Sequence, residues 1–120
     1  MENKMKFTAE ENSFIVEADG KRLRVSYAES CCSHKDAMTF CKDNGGGDET
    51  VENLRLLAKY RGDINKELEA LGKETLGGWI WTNEEYWNDK DFAFVVDMNN
   101  GYVLYEYRYY YNYARAVSAL

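Results

Sequence analysis

Several residue types are scarce or missing in this 120-residue chain, and each absence narrows what the chain can be. There is no proline, and His34 is the single histidine. One histidine is too few for a zinc site built from Cys and His pairs, and no evident nucleophile accompanies it for a Ser–His–Asp arrangement. We expect His34, which falls in the first turn of a predicted helix, to be a solvated surface residue.

Cysteine is also rare, with only Cys31, Cys32 and Cys41 present. An odd number of cysteines, two of them adjacent, makes a poor disulfide framework. We interpret all three as reduced, with Cys41 as a small buried core residue rather than a redox or catalytic thiol. The sequence predicts no metal site and no cofactor.

Positive charge is the next deficit, with 15 Lys and Arg against 21 Asp and Glu and a net charge of −6. A protein that binds a nucleic-acid backbone needs a basic face, so we do not expect a nucleic acid as partner. No apolar run approaches the roughly 20 residues of a bilayer span, so no membrane span is expected. The first residues lack the apolar h-region of a signal peptide.

The length and the order of local patterns favour a single α+β domain over residues 1–120. Asp19-Gly20 between two apolar runs predicts an N-terminal β-hairpin within residues 1–32. Two or three helices follow. The first starts with a capping box formed by Ser33 and Asp36, and the second is capped by Asp48 or Thr50. In the third, Gly72 is typical of the residue just after a helix end.

The last third changes to a period of two, which is typical of strands. Trp79 and Trp81 alternate with smaller residues and are expected to be core residues, with one ring at the surface rim. The apolar run over residues 92–98 predicts a buried strand. Further strands are predicted over residues 102–108 and 113–119, giving a small twisted antiparallel sheet.

Tyrosine is the abundant residue, with ten copies, seven of them between Tyr102 and Tyr113. In a strand, successive side chains face opposite sides of the sheet. One face would carry Val103, Tyr105, Tyr107 and Tyr109, and the other Tyr102, Leu104, Glu106 and Arg108. Both faces cannot be core, because the two charged residues would then be buried. The tyrosines indicate either a binding surface, to which rigid amphipathic rings are suited, or structural packing in a small sheet.

The C-terminal half resembles a known family in several short motifs. These are Gly77-Gly78-Trp79-Ile80-Trp81-Thr82-Asn83-Glu84-Glu85-Tyr86, the alanine-led strand 93–98, the turn residue Gly101, Arg108 in an aromatic strand, and the ending Tyr113-Ala114-Arg115-Ala116-Val117. Over residues 33–120 the chain resembles the C-type-lectin-fold domains of gut bacteria and their phages. Those domains share their fold with sulfatase-modifying-factor-like proteins and with the variable proteins of diversity-generating retroelements.

The resemblance implies a rigid C-type-lectin-like scaffold that displays an adaptable C-terminal surface. The implied protein is a non-catalytic ligand-binding module, of the retroelement variable or phage receptor-binding type, with an unknown protein or glycan as ligand. Its location would be the cytoplasm or a phage particle, with surface display left open if a leader was removed. The expected ligand-binding residues are Asn83, Tyr86, Asn88, Asn99, Asn100, Tyr102, Tyr105, Tyr107, Tyr109, Tyr110, Tyr111 and Asn112.

The alternative is a structural or assembly domain whose tyrosines pack in a core or in a homo-oligomer interface. Two further features of the sequence each have two interpretations. The segment 87–89, Trp-Asn-Asp, matches a tripeptide of calcium-dependent lectins, but their site also needs a cis-proline, so we favour a chance match or a Trp core anchor. Arg115 is expected to form a structural ion pair with Glu84 or Glu85 rather than to contact a ligand.

Overall fold

The structure, a computed structural model of the protein, describes residues 4–120 and confirms the α+β class. Residues 1–3, the start of the predicted domain, lie outside the described residues. Over the described range the chain forms nine strands and three helices. They are β1 (Lys6–Ala9), β2 (Ser13–Ala18), β3 (Lys21–Ser26), β4 (Ser30–Cys32), α1 (His34–Asp43), α2 (Val51–Lys59), α3 (Arg61–Ala70), β5 (Trp79–Glu85), β6 (Phe92–Asp97), β7 (Val103–Tyr107), β8 (Asn112–Ala114) and β9 (Val117–Ala119).

The predicted N-terminal hairpin is confirmed and is part of a larger sheet. Asp19 and Gly20 both have positive φ angles, 52° and 78°, as a two-residue type I′ hairpin turn requires. β2 and β3 pair antiparallel across this turn, β1 pairs with the other side of β2, and β9 returns from the chain's end to pair with β3. The order of this four-stranded sheet is β1-β2-β3-β9.

The helix ends agree only in part with the predicted caps. Ser33 is the N-cap of α1 by backbone geometry, but its side chain makes no capping hydrogen bond, so the predicted capping box is wrong. Thr50 caps α2 as predicted, because its Oγ1 accepts a hydrogen bond from the N–H of Asn53 at 3.1 Å. Gly72, with φ at 68°, ends α3 as predicted, and the N–H of Lys73 closes the turn by donating to Leu68.

The C-terminal sheet has five strands in the order β4-β8-β5-β6-β7. Its pairs are antiparallel, as predicted, except β5 with β8, which are parallel at the single pair Ile80 and Tyr113. The prediction of a single strand over residues 113–119 is wrong. β8 belongs to this sheet and β9 to the other, because the chain crosses between the two sheets at Arg115 and Ala116, both of which are buried.

Two clusters of buried side chains form the core. The larger one joins residues of β2, β3, β5, β6 and β9 with residues of α2 and α3, so the N-terminal strands share a core with the rest of the chain. The smaller one packs α1 against the C-terminal sheet around Trp81. Cys41 is buried there as predicted, and burial raises the pKa of its thiol. Trp81 is in the core and Trp79 is partly exposed, as expected for that pair.

Arg115 is a structural residue, but its predicted partners are wrong. Its guanidinium pairs with Glu29, 86 residues earlier, at 3.0 Å. Glu84 instead accepts a hydrogen bond from the N–H of Val51, and Glu85 lies 3.4 Å from Arg108. In residues 4–120, none of the three helices has the length and apolar character needed to cross a membrane.

Candidate ligand-binding surface

Eight aromatic side chains meet on the face of β6 and β7 that points away from α1. The strand register explains the arrangement, because Phe92 lies opposite Tyr107 and Phe94 opposite Tyr105, and alternate residues share a face. Tyr86 and Trp87 reach this face from the end of β5, and the turn after β7 adds two more rings. We call this set the ring cluster: Tyr86, Trp87, Phe92, Phe94, Tyr105, Tyr107, Tyr109 and Tyr110.

The rings of the cluster contact one another in a continuous chain. Tyr86 and Tyr105 stack with their ring centroids 4.2 Å apart and their planes 12° from parallel. Phe92 meets Tyr105 at 5.7 Å and Tyr107 at 5.8 Å, in both cases edge to face. Tyr107 then contacts Tyr109 at 5.0 Å. Such pairs are the preferred geometries of aromatic side chains, so the rings hold one another in place before any ligand arrives.

The ring cluster is strongly exposed for its size. Trp87 is 81% exposed, Tyr105 is 53% exposed, and Tyr107 is 37% exposed. Phe92 and Phe94 are half-buried beneath the tyrosines. Within residues 4–120, the only tyrosine hydroxyl that makes a hydrogen bond is that of Tyr60, which lies outside the cluster. The surface therefore offers both apolar ring faces and uncommitted hydroxyl groups.

The opposite face of β7 turns inward. Leu104 packs against the smaller core cluster under α1, and Glu106 is half-buried on the same side. This division follows the predicted alternation, with Val103, Tyr105 and Tyr107 on the exposed side. Tyr109, predicted to continue that face, lies in the turn beyond β7 and still reaches the ring of Tyr107.

The predicted binding residues do not all come together. Tyr86, Tyr105, Tyr107, Tyr109 and Tyr110 belong to the ring cluster. The others lie outside it. Among these, the exposed ones are Tyr102, Tyr111, Asn83, Asn88, Asn99 and Asn100.

Some of the predicted asparagines are committed to the fold. Asn99 Oδ1 accepts a hydrogen bond from Arg61, and Asn100 Oδ1 accepts one from the N–H of Tyr102 in the β6–β7 turn. Asn83 donates to the carbonyl of Gly47. The expectation that Asn112 is displayed on the surface is wrong. It is 9% exposed, because β8 lies between β4 and β5 inside the sheet.

Three members of the ring cluster were missed by sequence reasoning. The apolar run over residues 92–98 predicts a buried strand, although the alternation of Phe92 and Phe94 with Ala93 and Val95 indicates a strand with two different faces. Trp87 was interpreted as a core anchor or a chance match, and its 81% exposure rules out the core anchor. Nothing in a single tryptophan's local sequence distinguishes these cases.

Tyr109, at one end of the ring cluster, lines the same cavity as His34. His34 is not solvated as expected but 3% exposed. Its Nε2 donates a hydrogen bond to the carbonyl oxygen of Thr82 at 2.8 Å, because a carbonyl can only accept. Its Nδ1 is then free to accept from the guanidinium of Arg108 at 3.3 Å. Burial lowers the pKa of His34. The bond to Thr82 opposes this shift, and the positive charge of Arg108 adds to it by a smaller amount.

The buried neutral His34 should make folding sensitive to mild acid. Its pKa is lower in the folded state, so between that value and about 6.5 the unfolded chain binds more protons, and stability falls as the pH decreases below about 6.5. We expect the free energy of unfolding, measured by urea denaturation, to fall between pH 7 and pH 5.5 by up to about 1.4 kcal/mol per pH unit. His34→Gln should be less stable at pH 7 but nearly flat over this range. An equally steep profile in that variant would contradict the assignment.

In the part of the chain that the structure describes, no three Asp, Glu, His or Cys side chains are grouped so that they could hold a metal ion. The acidic residues near Trp87 therefore do not form a cation cage among themselves. Comparison of the chain with protein-family models, with curated proteins and with solved structures finds no significant match.

Proposed function

We propose that this protein is a non-catalytic ligand-binding module that recognises a protein or glycan through the ring cluster. The observation that supports this proposal is that a set of aromatic rings in mutual contact is exposed to solvent. A surface that only faces water has no need of such a set. Single exposed apolar residues are ordinary, but contiguous patches of them mark interaction sites. Tyrosine and tryptophan are also the residues that binding surfaces favour, because they offer large contact areas with few rotatable bonds.

The mechanism would be binding by a surface that is already in place. Ligand groups would lie against the exposed faces of Tyr105 and Tyr107, and hydroxyl groups of the cluster would supply hydrogen bonds. Since the rings already hold one another, little side-chain entropy is lost on binding, which is the main advantage of a preorganised site.

We further propose that the scaffold is a C-type-lectin-like domain of the bacterial and phage type, related to retroelement variable proteins. This rests on the motif resemblance over residues 33–120, and the exposure of Tyr-rich positions near the C-terminus agrees with it. Sequencing of the genomic neighbourhood tests this proposal. A reverse transcriptase gene beside a near-copy of the 3′ coding segment would support it, and a genome with neither would contradict the retroelement assignment.

The ring cluster can be tested with the double variant Tyr105→Ala/Tyr107→Ala. We expect the variant to remain folded, with a loss of stability of about 1–2 kcal/mol from the broken ring pairs. Binding to hits from a glycan array and from a displayed random-peptide library should fall at least tenfold. Tyr113→Ala is the matched control, because Tyr113 is a partly exposed tyrosine of β8 outside the cluster. Equal affinities of the double variant and the wild type would refute the proposal.

The assembly alternative predicts a different result in sedimentation. If the ring cluster is a homo-oligomer interface, the wild-type protein should associate with increasing concentration, and the double variant should stay monomeric. A monomeric wild type over the micromolar range would leave ligand binding as the role of the exposed rings.

A further inference from the structure

β7 is the last strand of the C-terminal sheet, and its hydrogen-bonding phase can be read from its two ends. At one end the N–H of Asp97 donates to the carbonyl of Tyr102 at 2.9 Å, and at the other the N–H of Arg108 donates to the carbonyl of Asp91 at 2.8 Å. In an antiparallel pair, residues that exchange backbone hydrogen bonds alternate with residues that do not. The two end pairs are six residues apart along β7, so they are in phase.

This alternation shows the direction in which each backbone N–H and C=O group between the two ends of β7 points. Leu104 and Glu106 point their N–H and C=O groups at β6, while those of Val103, Tyr105 and Tyr107 point away from it, toward the open edge. Strand order places no further strand beside β7 among residues 4–120. The edge therefore presents backbone donors and acceptors at every second residue.

Within residues 4–120, only one of these outward groups makes another hydrogen bond. The carbonyl of Tyr107 accepts a hydrogen bond from the N–H of Tyr110 at 3.0 Å. The N–H groups of Val103, Tyr105 and Tyr107 and the carbonyls of the first two have no partner in the part of the chain that the structure describes. Their three side chains are all exposed on the face of the ring cluster.

The other sheet shows how this protein closes an edge. At β9 the N–H of Val117 donates to the carboxylate of Glu49 at 2.7 Å, and the N–H of Ala119 donates to that of Asp48 at 2.8 Å. The carbonyl of Val117 accepts from the N–H of Asp48 as well. Among residues 4–120, β7 has no such cover, and it carries no lysine, proline or bulge, three of the devices that block pairing with another chain. Its one charged residue, Glu106, lies half-buried on the inward face and bonds toward β6.

We propose that β7 binds an extended segment of a partner polypeptide as an added strand. The inference rests on the proposed function, because it names the ligand class of the same surface. The open backbone groups would pair with the backbone of the segment, and its alternate side chains would lie beside Tyr105 and Tyr107. Strand addition of this kind takes affinity from the main chain and specificity from the side chains.

Length and charge favour a partner segment over a second copy of this chain. β7 has five residues, about 17 Å, and strands lie about 4.8 Å apart, so an edge-to-edge contact covers far less than the roughly 800 Å² per partner of a stable dimer. Each copy also carries a net charge of −6, which opposes self-association. The same charge, and the electron-rich ring faces, favour a segment with Arg or Lys among apolar residues.

The test uses 12-residue peptides selected from a displayed random library on the intact protein. In the bound complex, the amide protons of Val103, Tyr105 and Tyr107 should exchange with solvent at least tenfold more slowly, while those of Leu104 and Glu106 should change little. Methylating the peptide nitrogens that face β7 should weaken binding at least tenfold, and methylating the intervening ones should not. Unchanged exchange at the three outward amides, or equal effects of both methylation patterns, would overturn strand addition.

Two protein variants separate the backbone from the side chain. Val103→Pro removes an outward N–H without breaking a bond to β6, and proline is tolerated at such edge positions, whereas Val103→Ala removes only the side chain. We expect a loss of at least fivefold in peptide affinity for the proline variant alone. Near-UV circular dichroism checks that both variants are folded. If the proline variant is unfolded, the binding of the methylated peptides to the wild-type protein tests strand addition instead.

The outcomes distinguish this inference from the proposed function. If Tyr105→Ala/Tyr107→Ala abolishes binding but peptide methylation and Val103→Pro have no effect, the ring cluster binds its ligand and strand addition is wrong. If no library peptide binds while glycan hits depend on the two tyrosines, strand addition is wrong again. If Val103→Pro abolishes a concentration-dependent dimer, the occupant of the edge is a second copy.

Discussion

Replacing Arg115 by alanine is expected to lower the free energy of unfolding by about 3–5 kcal/mol. The side chain is fully buried, and its Nε and Nη2 donate to the carboxylate of Glu29 at 3.1 and 3.0 Å. It also donates to the carbonyls of Ser26 and Tyr27, at 3.2 Å each. Burial lowers the pKa of Arg115, but the carboxylate beside it acts in the opposite direction.

The loss of stability is large because Arg115 has partners that would keep their buried positions in the alanine variant. Arg115 also bonds the carbonyls of Glu74 and Thr75, at 3.0 and 3.1 Å, so one side chain ties β3, the segment before β5 and the crossover between the sheets. Its removal leaves the largely buried carboxylate of Glu29, and the carbonyls of Ser26 and Tyr27 bonded to Arg115 in the interior, without this donor. An unpaired buried charge costs far more than the pair contributed.

Urea unfolding followed by circular dichroism measures the loss at Arg115. Arg24→Ala is the control, because Arg24 also pairs with a glutamate, Glu10, but on the surface, where screening by water makes such pairs nearly neutral. Arg115→Lys should also be clearly destabilised, since one ammonium cannot reproduce the planar fork of donors. A loss at Arg115→Ala no larger than that at Arg24→Ala would refute the structural role.

Features fixed by neighbouring residues could be predicted from the sequence. The Asp19-Gly20 turn, the Thr50 cap and the end of α3 at Gly72 depend on backbone angles and hydrogen bonds within a few residues. The exposed side of β7 could be predicted for a similar reason, because the alternation of charged and aromatic residues leaves one face that cannot be buried.

Features that depend on distant partners could not be predicted. Buried His34 donates a hydrogen bond to the carbonyl of Thr82, 48 residues later in the chain, and Arg115 pairs with Glu29, 86 residues earlier. The division of residues 113–119 between two sheets also depends on where distant strands lie. In each case the local sequence is compatible with several environments, and tertiary packing selects one of them.

Position alone could not separate the predicted site residues either. Asn112 and Tyr111 are adjacent, yet one is buried between strands and the other exposed in the preceding turn. Five of the eight members of the ring cluster were predicted. Its two phenylalanines were missed because they lie in a strand whose apolar run resembles a buried one. Contacts between β6 and β7, rather than composition, define which rings share the surface.

Trp81→Ala should destabilise the protein about as much as loss of Arg115, by about 3–5 kcal/mol, the usual cost of removing a large buried ring. Trp81 is fully buried in the smaller core cluster, where α1 packs on the C-terminal sheet. Its indole N–H donates to the carbonyl of Cys32 at 2.9 Å, and its ring meets that of His34 edge to face at 5.1 Å. The variant therefore loses core packing, the hydrogen bond to Cys32 of β4 and the ring contact with His34 at the same time.

The three tryptophans provide their own controls in the same urea experiment. Trp87→Ala and Trp79→Ala should lower the free energy of unfolding much less. The loss should be smaller for Trp87, which is 81% exposed, than for Trp79, which is 38% exposed. Trp81→Phe keeps most of the ring but leaves the carbonyl of Cys32 without its donor, so we expect a loss of about 1–2 kcal/mol. If Trp87→Ala proves as damaging as Trp81→Ala, the ring cluster is part of the folding core, and the case for an exposed binding surface fails with it.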